Sequence, residues 1–84
     1  MSKITLIELD ILKPNNLSIV DMALSLSEIK GLSDVEIKVK EIEKEVEKVS
    51  VIITGTNLAS EVIYKTVESL GCAVHNIDRV IVKK

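Results

Sequence analysis

The sequence predicts an α+β sandwich with the element order βαββαβ, in which a four-stranded antiparallel sheet carries two helices on one face. Two observations lead to this prediction. An alternating apolar run, a stretch with helical periodicity, a glycine and a second alternating run follow one another twice within 84 residues. The alternating runs are rich in valine and isoleucine, which favour strands. This arrangement is the ferredoxin-like fold, and we expect residues 1–84 to form a single domain.

The first predicted strand covers residues 3–13, and it ends at Pro14 because proline fixes its own φ and lacks an N–H group. One face of this strand is apolar and suits packing against helices: Ile7, Leu9 and Ile11. The other face mixes apolar and acidic side chains: Ile4, Leu6, Glu8, Asp10 and Leu12. The second face is therefore neither a simple core face nor a simple solvent face.

A helix is predicted over residues 17–30, with Asn16 or Ser18 as its N-cap. Its polar residues form only a narrow stripe, whereas a helix on the surface of a monomer needs about 100° of apolar arc. We therefore expect it to face both its own sheet and a neighbouring subunit. The predicted oligomer contacts are apolar residues of this helix and of the mixed strand face: Ile4, Leu6, Met22 and Ile29.

The charged segment 38–48 is ambiguous, because its apolar residues also fit helical spacing. The flanking runs 35–39 and 49–54 alternate and are β-branched, so we predict a long hairpin that turns near residues 43–45. A second helix over 58–70 and a last strand over 74–82 complete the fold. A continuous helix across residues 38–49 would contradict the hairpin.

Composition limits the size of the core and the class of protein. The chain has one aromatic residue, Tyr64, and one cysteine, Cys72, so neither aromatic packing nor a disulfide stabilises it. A core of this size rarely supplies more than about 3–5 kcal/mol, which makes self-association an expected source of stability. The charge of −2 and the lack of stacking aromatics argue against nucleic-acid binding.

Neither a membrane-spanning run nor a secretion signal is visible, so no membrane association and a cytoplasmic location are expected. The abundance of Ile, Val, Glu and Lys, with no Gln, is typical of thermophiles. No phosphate-binding loop, Ser-His-Asp set or cysteine pair is present, and we do not expect an enzyme. Cys72 is expected to be a small buried hydrophobe, and Lys13 a surface lysine.

Four polar residues are the candidate site. In the predicted sheet the first and last strands are antiparallel neighbours, which brings Asp10 near His75, with Glu8 and Asp78 close by. Carboxylates and an imidazole are ligands for zinc, manganese or, with further oxygens, calcium. His75 and Asp78 share a face only if a bulge intervenes. The alternative is that these residues hydrogen-bond to each other and to turn backbone.

Three segments together resemble an archaeal family catalogued as domain of unknown function 211. They are residues 9–14 (Leu-Asp-Ile-Leu-Lys-Pro), residues 41–42 (Glu-Ile) and residues 74–80 (Val-His-Asn-Ile-Asp-Arg-Val). The chain departs from the family pattern at Asn15, where histidine is frequent, and at Asn76, where serine is frequent. The resemblance implies a ferredoxin-like fold and assembly into ring-like homo-oligomers. It implies no activity.

Three hypotheses of function follow. The first is a non-catalytic domain that assembles with itself into a homo-oligomer larger than a dimer, in a regulatory or scaffolding role, through the open sheet face or the edge strands. The second is a protein that binds or senses a divalent metal through the four candidate residues. The third is a small-ligand sensor of the amino-acid-binding type, which depends on fold analogy alone.

Overall fold

A computed structural model describes residues 1–84, and its element order is βαββαβ, as predicted. The four strands form one antiparallel sheet in the order β2-β3-β1-β4, which is the ferredoxin-like arrangement. The elements are β1 (Lys3–Pro14), α1 (Ile19–Leu26), β2 (Leu32–Ile42), β3 (Val46–Gly55), α2 (Ser60–Ser69) and β4 (Ala73–Lys83).

The predicted hairpin is confirmed, because β2 ends at Ile42 and β3 begins at Val46 with no helix between them. Asn15, just after β1, holds the turn in place. Its side-chain amide donates to the carbonyl of Lys44 at 2.9 Å, and its backbone N–H donates to the carbonyl of Glu45 at 3.3 Å. A turn without glycine is therefore stabilised by a neighbouring loop.

The first helix begins as predicted but is shorter. The Ser18 side chain accepts the N–H of Asp21 at 3.0 Å and caps the helix. The helix ends at Leu26, where the Ser27 hydroxyl donates to the carbonyl of Leu24 at 2.6 Å. Tight turns follow up to Gly31, so the last four residues of the predicted helix lie outside it.

Two predicted oligomer contacts, Met22 and Ile29, are wrong. Met22 faces the sheet with Leu26, four residues later, and is 0% exposed. Ile29 lies in the turn after the helix and packs into the same core. The exposed apolar side chains of α1 are instead Val20 and Leu24.

One core lies between the helices and a single face of the sheet. Each central strand contributes three alternating residues to it, and each helix contributes residues of its inner stripe. The core residues are Ile7, Leu9, Ile11, Met22, Leu26, Ile29, Val49, Val51, Ile53, Leu58, Ile63, Val67 and Cys72. The opposite face of the sheet carries no helix, and we call it the open face.

The loops at one end of the core touch through their backbones. The N–H of Thr56 donates to the carbonyl of Gly31 at 2.9 Å. Gly55 packs so closely that an added Cβ would lie 2.2 Å from this same carbonyl oxygen. Gly31 and Gly71 have φ values of +87° and +82°, which glycine adopts without strain.

Candidate functional site

The acidic residues of the mixed face of β1 lie on the open face, where they make ion pairs with neighbouring strands, whereas Ile4 packs against the core. Glu8 accepts from the guanidinium of Arg79 on β4 at 3.1 Å. Asp10 accepts from Lys40 on β2 at 2.9 Å. Both pairs are partly exposed, and such pairs contribute little to stability because water screens the charges.

Lys40 lies close to two carboxylates. The hydrogen bond and the charge of Asp10 raise the pKa of Lys40, and the more distant charge of Asp78 acts in the same direction. Asp78 itself accepts a hydrogen bond from the amide of Asn76 at 2.7 Å. The ammonium group therefore serves as the counter-charge for Asp10 and, at longer range, for Asp78.

The last strand is irregular where the candidate site was predicted. The β1–β4 register places Asn76 opposite Asp10 and Arg79 opposite Glu8, and it shifts on either side of the segment Asn76–Ile77. His75 and Asp78 are thus the extra residues of two β-bulges. His75 and Asp78 could share a face only if a bulge intervened, and the structure has bulges at these two residues.

No three His, Cys, Asp or Glu side chains are grouped closely enough to hold a metal ion. The structure brings Asp10, Asn76, Asp78 and Lys40 into one neighbourhood, with His75 exposed beside it. Metal binding by Glu8, Asp10, His75 and Asp78 stays a prediction. A cation at this place must compete with Lys40 for Asp10.

This competition gives a testable prediction. We expect Lys40→Ala to strengthen Mn²⁺ or Zn²⁺ binding severalfold, because the ammonium group of Lys40 repels a metal ion and competes with it for the carboxylate of Asp10. Isothermal titration calorimetry at pH 7 measures the affinity. Lys48→Ala is the control, because Lys48 pairs with Glu41 instead of Asp10. An equal or weaker affinity in the Lys40 variant contradicts the prediction.

The expectation that Lys13 is a surface lysine is wrong. Lys13 continues the alternating series of core-facing residues in β1, and its side chain is 1% exposed. Its ammonium group donates to the carbonyls of Pro14, at 3.0 Å, and of Leu17. It also pairs with a carboxylate oxygen of Glu47 at 3.3 Å. Lys13 lies two residues after Ile11, on the same face of the strand, and this spacing is the sequence signal for its burial.

Cys72 is buried and unpaired, as predicted. Burial raises the pKa of its thiol, and the positive charge of Lys13 opposes this shift. A thiol with a raised pKa is a poor nucleophile at neutral pH. Cys72 therefore serves as a small packing residue.

A half-open cleft of about 530 Å³ lies where the α1–β2 and β3–α2 loops meet. Its lining consists of Lys30, Gly31, Thr56, Asn57, Ala59 and Val62. The lining holds one charged side chain and neither a carboxylate nor a histidine. It therefore does not provide an acid–base pair for catalysis.

The outer edge of the sheet at β4 is an exposed apolar surface. Its 11 residues pair with β1 on one side only, which leaves the backbone groups of the other side without a strand partner. Apolar side chains remain exposed on both of its faces: Ile77, Val80, Ile81 and Val82. Long apolar edge strands are sites at which another chain adds to a sheet.

The structure contains no helix with the length and apolar character needed to span a bilayer. A family model described as DUF211, "Uncharacterized ArCR", matches residues 5–84. "Uncharacterized protein MJ0319" from Methanocaldococcus jannaschii is 46% identical over 84 residues, which covers all of this chain and 87% of that relative.

Proposed function

We propose, from the premise that this chain belongs to the uncharacterized DUF211 family, that the protein is a non-catalytic subunit that assembles with its own copies through β4. The observation that carries the proposal is the exposed edge of β4, which combines unpaired backbone groups with apolar side chains. Assembly would give the protein a scaffolding or regulatory role.

The apolar character of β4 supports this proposal. Val80 lies opposite Ile7, and Ile77 lies opposite Leu9, so both continue the helix-covered face of the sheet. Yet Ile7 and Leu9 are fully buried, whereas Val80 and Ile77 are about half exposed. The apolar face therefore extends to the edge without cover, and a second chain would remove this surface from water.

The small core also supports the proposed self-assembly. Only 15 of 84 residues are buried, so much of the apolar content lies on the surface. Burial of apolar area contributes roughly 25 cal/mol per Å², and an interface adds area that one chain cannot bury alone. Assembly would therefore raise the stability of a fold whose own core is limited.

Divalent-metal binding and small-ligand sensing stay alternative proposals. Asp10 and Asp78 near Lys40 are the observation relevant to metal binding. Ligand sensing has only the fold in its favour. A cytoplasmic location, expected because the sequence shows neither a membrane-spanning run nor a secretion signal, and a thermophilic host, expected from composition, belong to the main proposal.

We expect the parent protein to sediment as a homo-oligomer larger than a dimer and Val80→Glu to shift it toward monomers. A carboxylate at this position would have to be buried without a partner in the interface, which is unfavourable. Val62→Glu on α2 is a matched control, because Val62 is 46% exposed and Val80 is 48% exposed. Sedimentation velocity and native mass spectrometry, with and without a chelator, measure the assembly.

Both variants should remain folded, since each changes one exposed side chain, but Val80→Glu should unfold at a lower temperature than Val62→Glu because it loses the stability that assembly adds. A parent protein that is monomeric at micromolar concentration would contradict the proposal. Equal dissociation of the Val80 and Val62 variants would contradict the assignment to β4.

A further inference from the structure

We propose that β4 of one copy pairs with β2 of the next copy, head-to-tail, so that the sheet continues from subunit to subunit. This inference rests on the proposed self-assembly and names the surface that β4 meets. The partner is a second copy of the chain, and the contact joins two different edges of the same sheet.

The direction of the strands permits this pairing. In the order β2-β3-β1-β4 every neighbouring pair is antiparallel, so β2 and β4 run in opposite directions. A second copy in the same orientation, placed beside β4, therefore presents its β2 as an antiparallel neighbour. No rotation of the subunit in the sheet plane is needed.

Residues that lie opposite one another on successive strands form rows across the sheet, and extending these rows predicts the register between the two copies. One row on the open face runs from Glu36 through Ile52 and Glu8 to Arg79. If the row continues straight, Arg79 comes opposite Glu36 of the next copy. Arg79 already donates to Glu8, but a guanidinium has five N–H donors and can serve both carboxylates.

The adjacent row on the helix-covered face joins apolar residues. It runs from Val35 through Ile53 and Ile7 to Val80. The same register places Val80 opposite Val35 of the next copy. Directly opposed β-branched residues stabilise antiparallel strands, and this contact would cover the half-exposed Val80.

Charges at the two edges are complementary in this register. From Arg79 onward, the end of the chain carries Arg79, Lys83 and Lys84, all positive. The start of β2 carries Asp34 and Glu36, and neither makes an ion pair within its own chain. Opposite charges across strands favour pairing and fix the register.

Two-fold pairings centred on the same edge segments bring like charges together. An antiparallel β4–β4 contact centred on Ile81 would place Arg79 opposite Lys83 of the other copy. A β2–β2 contact centred on Glu36 would place the two Glu36 side chains opposite each other. Like charges directly opposite are destabilising, so the charges favour the head-to-tail contact over these two registers.

The bulges limit where the edges can pair. His75 and Asp78 are extra residues of β4, and Ser33 and Lys40 are extra residues near the start and the end of β2. The regular segments Arg79–Lys83 and Asp34–Val39 remain, and in the proposed register they overlap where Arg79–Ile81 faces Asp34–Glu36. A head-to-tail contact closes into a ring or continues as a filament, depending on the rotation between subunits.

Charge reversal tests the pairing with two variants. The first, which we call β4-acidic, combines Arg79→Glu and Lys83→Glu, and the second, β2-basic, combines Asp34→Lys and Glu36→Lys. Each variant alone places like charges across the contact, and we expect about tenfold weaker association or more. Glu61→Lys with Glu68→Lys on α2 is the control for reversed charge away from the edges.

An equimolar mixture of the two variants restores opposite charges at every contact. We therefore expect the mixture to recover assembly, with the variants alternating and an even number of subunits, in native mass spectrometry. Thermal unfolding followed by circular dichroism verifies that each variant is folded. This control matters because Arg79→Glu also removes the pair with Glu8.

Other outcomes overturn the inference. If β2-basic assembles like the parent while β4-acidic dissociates, the contact is a two-fold β4–β4 pairing. If both variants assemble like the parent, copies meet through another surface, and self-assembly stands without this pairing. A monomeric parent protein overturns the pairing together with the proposed function.

Discussion

Replacing Lys13 with alanine is expected to lower the free energy of unfolding by about 3–5 kcal/mol, the usual cost of breaking a buried ion pair. The change removes the cation that pairs with Glu47 and the donor for the carbonyls of Pro14 and Leu17. A core of this size supplies about the same free energy, so we expect the variant to be largely unfolded at 25 °C. Urea denaturation at fixed protein concentration measures the loss.

The matched comparison is a double substitution, Lys13→Met with Glu47→Leu. Apolar residues of similar volume often replace a buried ion pair at little cost, so this protein should regain most of the lost stability. Lys13→Met alone should fall between the parent and the alanine variant, because it keeps the volume but leaves Glu47 without its cation. A Lys13→Ala protein within about 1 kcal/mol of the parent would show that the pair contributes only as a surface pair does.

Gly55→Ala is expected to cost about 3 kcal/mol or more, since overpacking alone costs about 1–3 kcal/mol and a lost hydrogen bond adds about 1 kcal/mol. The new Cβ would lie 2.2 Å from the carbonyl oxygen of Gly31 and 2.8 Å from a methyl group of Leu58. Backbone on both loops would have to move, which disturbs the hydrogen bond from Thr56 to Gly31. Thermal and urea unfolding measure the change.

Gly71→Ala is the control for this prediction. Gly71 has a φ of +82°, but no atom lies within 4 Å of its added Cβ. The substitution therefore carries only the backbone cost of a left-handed alanine, about 1–2 kcal/mol. If Gly71→Ala proves as damaging as Gly55→Ala, the close approach of the two loops is not the cause of the loss.

The strands were predictable from the sequence because their side chains alternate between the core and the open face of the sheet. Ile7, Leu9 and Ile11 are buried at period two, and the open face carries the polar residues between them. The hairpin was predictable for the same reason, since β-branched runs flank Glu43–Glu45 on both sides. Local patterns of this kind require no knowledge of distant contacts.

Features that depend on distant contacts were harder to predict. A helix that is apolar on most of its surface does not reveal which stripe faces the sheet, so Met22 was assigned to an interface although it lies in the core. The burial of Lys13 depends on Glu47, which comes 34 positions later in the chain. The pairing of Asp10 with Lys40 likewise requires the β2–β3–β1 order and a bulge.

The register of the last strand shows the same limit. Asp10 and His75 were expected to meet because β1 and β4 are neighbours, and these strands do pair. Two bulges place Asn76 opposite Asp10 instead, and alternation carries no signal for a bulge. The neighbourhood of the candidate site was thus predictable, whereas its pairwise contacts were not.

The central position of β1 has a consequence for folding. Its partner β4 is the last of the six elements in the chain, and the register joins Lys3 to Lys83 across almost the whole sequence. Contacts of such long sequence separation are slow to form, because closing the long loop between them costs entropy. Until β4 docks, β1 is itself an open edge, and the β4 of another nascent chain can occupy it. Exchange of β4 between copies is therefore the form of misassembly to which this topology is most exposed during synthesis.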